Sequence, residues 1–301
     1  MAAWELLAAP LDCAGQSEGE ERAPQALLAA GAAEAAGAGG SAIRELDTRL
    51  RSSERDPASG VIDVEGVRRA TAEIAEAVGN VLGSGRRPLV LGGDCTLAPG
   101  ILDAATRGAG EFGLVFFDGH PDACDGKTSP TGEAADMDLA VLTGRGPEAL
   151  RPGDRPGPVL DPARIALIGV RGDAPADIQT EDGRAVQELE LLDPGIHRVD
   201  AESVRELGAE PAAERALQAV AGSGRVWVHL DVDVLDESVM PAVSYPQANG
   251  PSLEELTAML AGVAASVEIA GAQVTCFNPD LDPDGSCADL VIEMIRTLAR
   301  P

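Results

Sequence analysis

The chain has 301 residues, 50 of them acidic and 23 basic, for a formal net charge of -27. A surface this negative repels phosphate backbones and anionic headgroups, which argues against nucleic acid or a membrane as partner. Hydrophobic residues make up 45% and aromatics only 2%, so a sizeable core can form, but from Ala, Val, Leu and Ile rather than stacked rings.

In chain order, the apolar run at residues 4–8 lacks the basic flank of a signal peptide and reads as a buried strand. Residues 14–22 follow as a polar loop, and the Ala/Gly-rich stretch 27–40 reads as a helix with a flexible exit. Apolar residues at helical spacing predict a helix over 67–82. Short β-rich runs at 88–91, 113–117, 165–170, 226–232 and 272–277 predict further strands. Ser252 and Glu255 form a capping-box pattern that opens a helix over 253–263. Strands alternating with helices specify an α/β fold with a parallel sheet covered on both faces. The loops 14–22, 121–133 and 238–251 then fall at the carboxyl edge of that sheet, where open α/β folds bind ligands. No Ser- or Pro-rich linker divides the chain, so 1–301 is read as one domain. Cys13, Cys95, Cys124, Cys276 and Cys287 are odd in number and follow no zinc-finger or redox spacing, and no apolar run reaches the roughly 18 residues of a membrane span. The expected compartment is the cytoplasm.

Two strand ends carry the chemistry. In Val115-Phe116-Phe117-Asp118-Gly119-His120-Pro121-Asp122, Asp, His and Asp stand at alternate positions, which aims all three one way if the chain stays extended. In Trp227-Val228-His229-Leu230-Asp231-Val232-Asp233, Asp231 and Asp233 share a face opposite Val228, Leu230 and Val232. Either pair alone could cap a helix or bind a buried Arg; together they point to a metal site, because acids inside apolar strands need a positive partner. Oxygen-rich ligation with one imidazole suits Mn or another divalent ion of intermediate hardness, and bridging carboxylates can hold two ions that activate water.

These elements resemble the arginase/agmatinase family of ureohydrolases. The resemblance covers nearly the whole chain, through Gly92-Gly93-Asp94, the Asp118-x-His120-x-Asp122 element, Ser129-Pro130-Thr131-Gly132, Leu230 to Asp236, Val239-Met240-Pro241-Ala242-Val243 and Asn278-Pro279-Asp280. It implies a three-layer α/β/α sandwich with a mostly parallel sheet. It also implies two Mn ions, with Asp118 and Asp231 bridging, Asp122 completing one site, and His120 and Asp233 completing the other. The family's sixth ligand is a histidine after Gly-Gly-Asp, whereas this chain has Cys95; a thiolate is softer and biases that site toward Zn or Fe.

Two more departures touch catalysis. A proton-shuttling histidine of the family aligns with Ala135, and a guanidinium-holding glutamate aligns with Cys276. The positions that hold the amino-acid end of arginine fall on Cys124, Thr131 and Glu133, so a substrate carboxylate would meet an acid. His229, two residues before Asp231, is a candidate substitute base or ligand, and Lys127 a candidate partner for a substrate carboxylate.

The resemblance therefore implies a metal-dependent hydrolase of a linear C–N bond in a small molecule: a guanidine, a substituted guanidine such as an N-hydroxyguanidine, or an amidine. Asp122 or Asp233 would accept a proton, and unmodified L-arginine would be a poor substrate. A role in secondary metabolism and assembly as a homo-oligomer, a trimer or a hexamer, follow from the same likeness. The alternatives are a catalytically impaired ureohydrolase-fold binding protein and a hydrolase of another C–N bond such as a carboxamide.

Overall fold

The computed structural model of the chain describes residues 2–40, 42–107, 111–153, 155, 157–172, 178–180 and 183–300. Among the described residues, ten strands are β1 (Trp4–Ala9), β2 (Arg44–Glu45), β3 (Arg87–Gly92), β4 (Phe112–Phe117), β5 (Ile165–Ile168), β6 (Ile178–Gln179), β7 (Ala185–Val186), β8 (His197–Val199), β9 (Arg225–Asp231) and β10 (Ile269–Thr275). The α-helices are α1 (Ala23–Ala29), α2 (Ala32–Ala35), α3 (Val64–Gly83), α4 (Ala98–Thr106), α5 (Asp138–Leu142), α6 (Ala201–Leu207), α7 (Ala209–Val220), α8 (Leu253–Ser266) and α9 (Ser286–Ala299).

Eight strands form one sheet in the order β2-β1-β3-β10-β9-β4-β5-β8, with every neighbouring pair parallel. The central strands are apolar on both faces because both faces are covered. Leu7, Val90, Leu114, Phe116 and Trp227 pack with Ile74 and Ile101 of α3 and α4. Leu6, Leu91, Val115, Phe117, Val228 and Val274 pack with residues of α7, α8 and α9 on the other side. The result is a three-layer α/β/α sandwich. None of the described helices is long and apolar enough to cross a membrane.

Local rules explain the helix boundaries. Asp63 caps α3 by accepting the Gly66 N–H, and the buried stripe Val67, Ala70, Ile74, Ala77, Val78, Val81 faces the sheet. Ser252 and Glu255 form the expected reciprocal capping box at α8. The single helix expected over 27–40 is not formed. Gly31 adopts φ 101°, and this left-handed residue divides the region into α1 and α2. The strand expected over 226–232 stops at Asp231, and Val232–Val234 curls into a 3-10 turn. That expected over 165–170 ends at Ile168, and that over 272–277 is displaced to Ile269–Thr275.

Four adjacent strands, β3, β10, β9 and β4, end at the same edge: β9 ends in Asp231 itself, and the segments leaving the other three carry Cys95, Cys276 and Asp118. Close backbone approach shapes this edge at Gly93, where a Cβ would lie 1.7 Å from the Leu11 carbonyl oxygen. The neighbour is backbone and cannot rotate away. Gly93→Ala is therefore expected to lower stability by about 1–3 kcal/mol through overpacking, read as a lower urea midpoint at unchanged slope. An unchanged midpoint would show that the β1 and β3 ends separate freely.

Candidate active site

The strand ends deliver their acids in a bent rather than an extended chain. Beyond β4, Asp118 continues the ladder by donating its N–H to the Ile168 carbonyl at 3.0 Å, and its Oδ1 accepts the His120 N–H at 2.6 Å. Asp122 then takes a left-handed φ of 45°, a conformation that Asp tolerates better than most residues. Its carbonyl accepts the N–H groups of Leu139 and Ala140 in the first turn of α5. At the end of β9, Asp231 Oδ1 accepts the Asp233 N–H at 2.8 Å, and Asp233 Oδ1 accepts the Gly119 N–H at 3.0 Å. Asp231 and Asp233 thus converge through a capped 3-10 turn, not through strand alternation. The buried Arg171 holds this turn from behind, donating to the carbonyls of Gly169, Asp233 and Leu235. A Cβ on Gly119 would lie 2.3 Å from the Arg171 guanidinium, so Gly admits the clamp.

His120 Nδ1 lies 2.9 Å from Asp233 Oδ2 and 3.8 Å from Asp118 Oδ1. Burial disfavours its charged ring, but the Asp233 carboxylate outweighs burial and lifts its pKa to about 9. Burial and the neighbouring acids push Asp118 well above the ordinary carboxylate range. Burial and Asp138 do the same to Asp122. Each shift reports negative charge crowded out of water. Cys95 opens a 3-10 turn capped by Asp94, and its Sγ lies 2.9 Å from Asp231 Oδ2 and 3.4 Å from Cys276 Sγ.

The donor set fits divalent cations. Oδ2 of Asp118 and Oδ2 of Asp122 are buried without a hydrogen-bond partner, the state expected of oxygens shaped to hold an ion. Donor atoms lie within 4.8 Å of one another in three groupings: Cys95, Asp118, His229 and Asp231; Cys95, Asp122 and Asp138; and Asp118, His120 and Asp233. Two ions could be held side by side, sharing Asp118.

Above the cluster opens a cavity of about 270 Å³. Cys124, Thr131, Glu133, Ala135 and Cys276 all line it, as do Cys95, Asp118, His120, Asp122, Asp231 and Asp233. His229 does not stand in its wall: the ring is fully buried, stacked 3.8 Å from Phe116 with planes 3° apart, and burial lowers its pKa to about 3. Its Nε2 lies 3.9 Å from Asp118 Oδ2, beneath the cluster. The role of a base facing the substrate is therefore corrected: His229 can touch the cluster but not a molecule in the cavity. Lys127 is exposed and outside the cavity wall, with its charge near Asp125.

Four residues of the site have no counterpart in the strand-end reading. Glu188 reaches the wall from a separate loop, its Oε1 accepting the Ala123 N–H at 2.9 Å. Tyr245 donates its hydroxyl to Glu133, 3.1 Å from both oxygens. Asp136, whose pKa burial lifts to about 8, accepts the Ser129 hydroxyl at 2.7 Å. Asp138 is buried beside Asp122. Only Asp136 and Asp138 carried a sequence signal, as alternate acids soon after the His120 element.

The Arginase family model matches residues 2–300. The chain belongs to the arginase family. It is accordingly a hydrolase acting on C–N bonds of guanidines or amidines. It is 28% identical over 298 residues to the arginase of Bacillus caldovelox, covering 97% of this chain and 96% of that one. It is 24% identical to the arginase of Bacillus subtilis over 97% and 96% of the two chains. The native structure of Bacillus caldovelox arginase superposes with a TM-score of 0.85 at 26% identity, over 100% and 99% of the chains. Proclavaminate amidino hydrolase from Streptomyces clavuligerus shares the fold, with a TM-score of 0.69 at 20% identity over 99% and 91%. Arginase-family enzymes are metal-dependent, in keeping with the buried Asp/His cluster.

Removal of Asp231, whose carboxylate meets both Cys95 and the Asp233 turn, is expected to empty the cluster. After expression in manganese-supplemented medium and dialysis, the wild type should retain about one to two divalent ions per chain. Asp231→Ala should bind at least about ten-fold more weakly, no less than the cost typical of losing an outer partner. Equal metal content by mass spectrometry would remove Asp231 from the ligand set.

Proposed function

We propose that the protein is a metal-dependent hydrolase of a substituted guanidine, less basic than L-arginine, with manganese as the principal ion. One observation carries the reading: Ala135 and Cys276 stand in the wall of the cavity directly above the acid cluster. In the resemblance these positions hold the family's histidine acid and its guanidinium-binding glutamate. A guanidine carrying an electron-withdrawing substituent such as hydroxyl is less basic and depends less on both.

Asp118, His120, Asp122, Asp231, Asp233 and Cys95 would hold the ions. When bound, such ions supply Lewis acidity and activate water as a nucleophile. Asp122 is the proton acceptor this reading favours, because its Oδ2 has no hydrogen-bond partner and faces the cluster, whereas Asp233 is engaged by Gly119 and His120. Asp233 and the Arg171 clamp fix His120, and His229, kept neutral by burial, supports Asp118 from below. The cavity wall adds Glu133 and Glu188, an environment that attracts a cationic substrate and repels an anionic one. Glu133, held by Tyr245, would face an amino-acid carboxylate with like charge.

Binding without turnover is the competing reading that the loss of the family's histidine would favour; the unpartnered acid oxygens weigh against it. Assembly as a trimer or hexamer rests on the family likeness alone, and light scattering tests it.

With saturating manganese, L-arginine should be turned over with kcat/KM well below about 10⁴ M⁻¹s⁻¹, the lower end of the ordinary range. An N-hydroxyguanidine analogue should exceed it, as measured by release of the urea product and the amine. Glu133→Gln should raise kcat/KM for L-arginine by about ten-fold, the equivalent of removing 1.4 kcal/mol of repulsion. Efficient wild-type turnover of L-arginine would overturn the substrate reading, and absence of turnover with every guanidine and amidine tried would favour the binding protein.

A further inference from the structure

The two cysteines of the cluster are partners of each other. Cys95 Sγ and Cys276 Sγ lie 3.4 Å apart, across 181 residues of sequence, and both line the cavity. All five cysteines are free thiols. Cys276 reaches this position with a left-handed φ of 66°, uncommon for a residue with a side chain. Its N–H donates to the Gly93 carbonyl, which ties the end of β10 to the loop that carries Cys95. Strained backbone of this kind persists where the surroundings over-determine it, and it clusters at functional sites. Here its effect is to bring the Cys276 sulfur against that of Cys95, which itself lies 2.9 Å from Asp231 Oδ2. Buried Asp118 Oδ2 and Asp122 Oδ2, unpartnered, belong to the groupings that contain Cys95.

From this geometry we infer that Cys276 is a metal ligand beside Cys95, and that the two ion positions differ in chemistry. One position is the grouping of Cys95, Asp118 and Asp231, to which Cys276 adds a second sulfur, and it takes a thiophilic divalent ion of the zinc class. The other is formed by Asp118, His120 and Asp233 and takes a harder ion. Soft sulfur donors select zinc over manganese, whereas carboxylate and imidazole accept manganese. Each thiol gives up its proton to solvent as it binds, so an ion held by both sulfurs gains two anionic donors and releases two protons. The inference rests on the metal-cluster reading above and assigns Cys276 to the ion rather than to the substrate.

The test uses cobalt(II) as the probe on full-length protein prepared under reductant. Cobalt bound by thiolate shows a near-ultraviolet sulfur-to-metal charge-transfer band whose intensity scales with the number of thiolates. The wild type should show the band of two thiolates, Cys95→Ser and Cys276→Ser each about half of it, and the double variant none, while all four retain cobalt at the harder position. Competition between zinc and manganese supplies a second readout: Cys276→Ala should lower the zinc-to-manganese occupancy ratio by about ten-fold or more. A full band in Cys276→Ser, or a cobalt-loaded wild type without a band, would overturn this inference and leave the metal cluster standing. Failure of the wild type to take up any cobalt would sink the cluster reading together with it. Loss of two of the five titratable thiols would show that the pair closes a disulfide, which would equally overturn the inference.

Discussion

The arrangement turns on an electrostatic problem: Asp118, Asp122, Asp138, Asp231 and Asp233 are all buried at one edge of an apolar sheet. Several carboxylates taken out of water together cannot all remain charged without compensation. Part of the compensation is internal, since His120 meets Asp233 and backbone N–H groups meet Asp118, Asp231 and Asp233. What is left over is the unpartnered oxygens on Asp118, Asp122 and Asp138, which invite divalent ions. The local backbone serves this end: strand ends turn early, a left-handed residue sits at Asp122, and glycine stands at 93 and 119, where a Cβ would meet the Leu11 carbonyl and the Arg171 guanidinium.

The cationic side chains around the site are used in a manner consistent with that problem. Arg171 donates to carbonyl oxygens of Gly169, Asp233 and Leu235 and so shapes the turn. Arg55 does the same for the site loop through Gly60, Gly126 and Ser129. Both guanidiniums fix the chain that presents the acids while leaving the key oxygens of Asp118 and Asp122 open. Rigid supports of this sort hold a reactive constellation at little entropic cost when a ligand arrives.

The central sheet was readable because its parallel strands, buried on both faces, appear as unbroken apolar runs. The edge strands were not: β2 is two exposed residues, Arg44 and Glu45, and β8 begins with His197 and Arg198, so neither carries a hydrophobic signature. The donors Asp118, His120, Asp122, Asp231 and Asp233 were identified by alternation, yet they meet because the chain leaves the strand, through turns that depend on their own side chains. Gly31 broke a helix that composition alone favoured, since an Ala-rich stretch does not reveal which glycine takes positive φ. Glu188 and Tyr245 were invisible for another reason: each enters the cavity from a distant loop, and nothing local marks a residue recruited by tertiary structure. The pairing of Cys95 with Cys276 was hidden in the same way.

The ends of β3, β4, β9 and β10 meet only when the whole sheet has been assembled. Cys95 lies 136 residues from Asp231 and 181 from Cys276, so no short segment of the chain contains the full set of donors. Such non-local pairings form slowly, because loop closure is unfavourable until the last contacts are made. An ion that binds the assembled state and not its fragments pulls the folding equilibrium toward completion by mass action. An occupied cluster would thereby act as a checkpoint on the fold, certifying that the first and last thirds of the polypeptide have found each other.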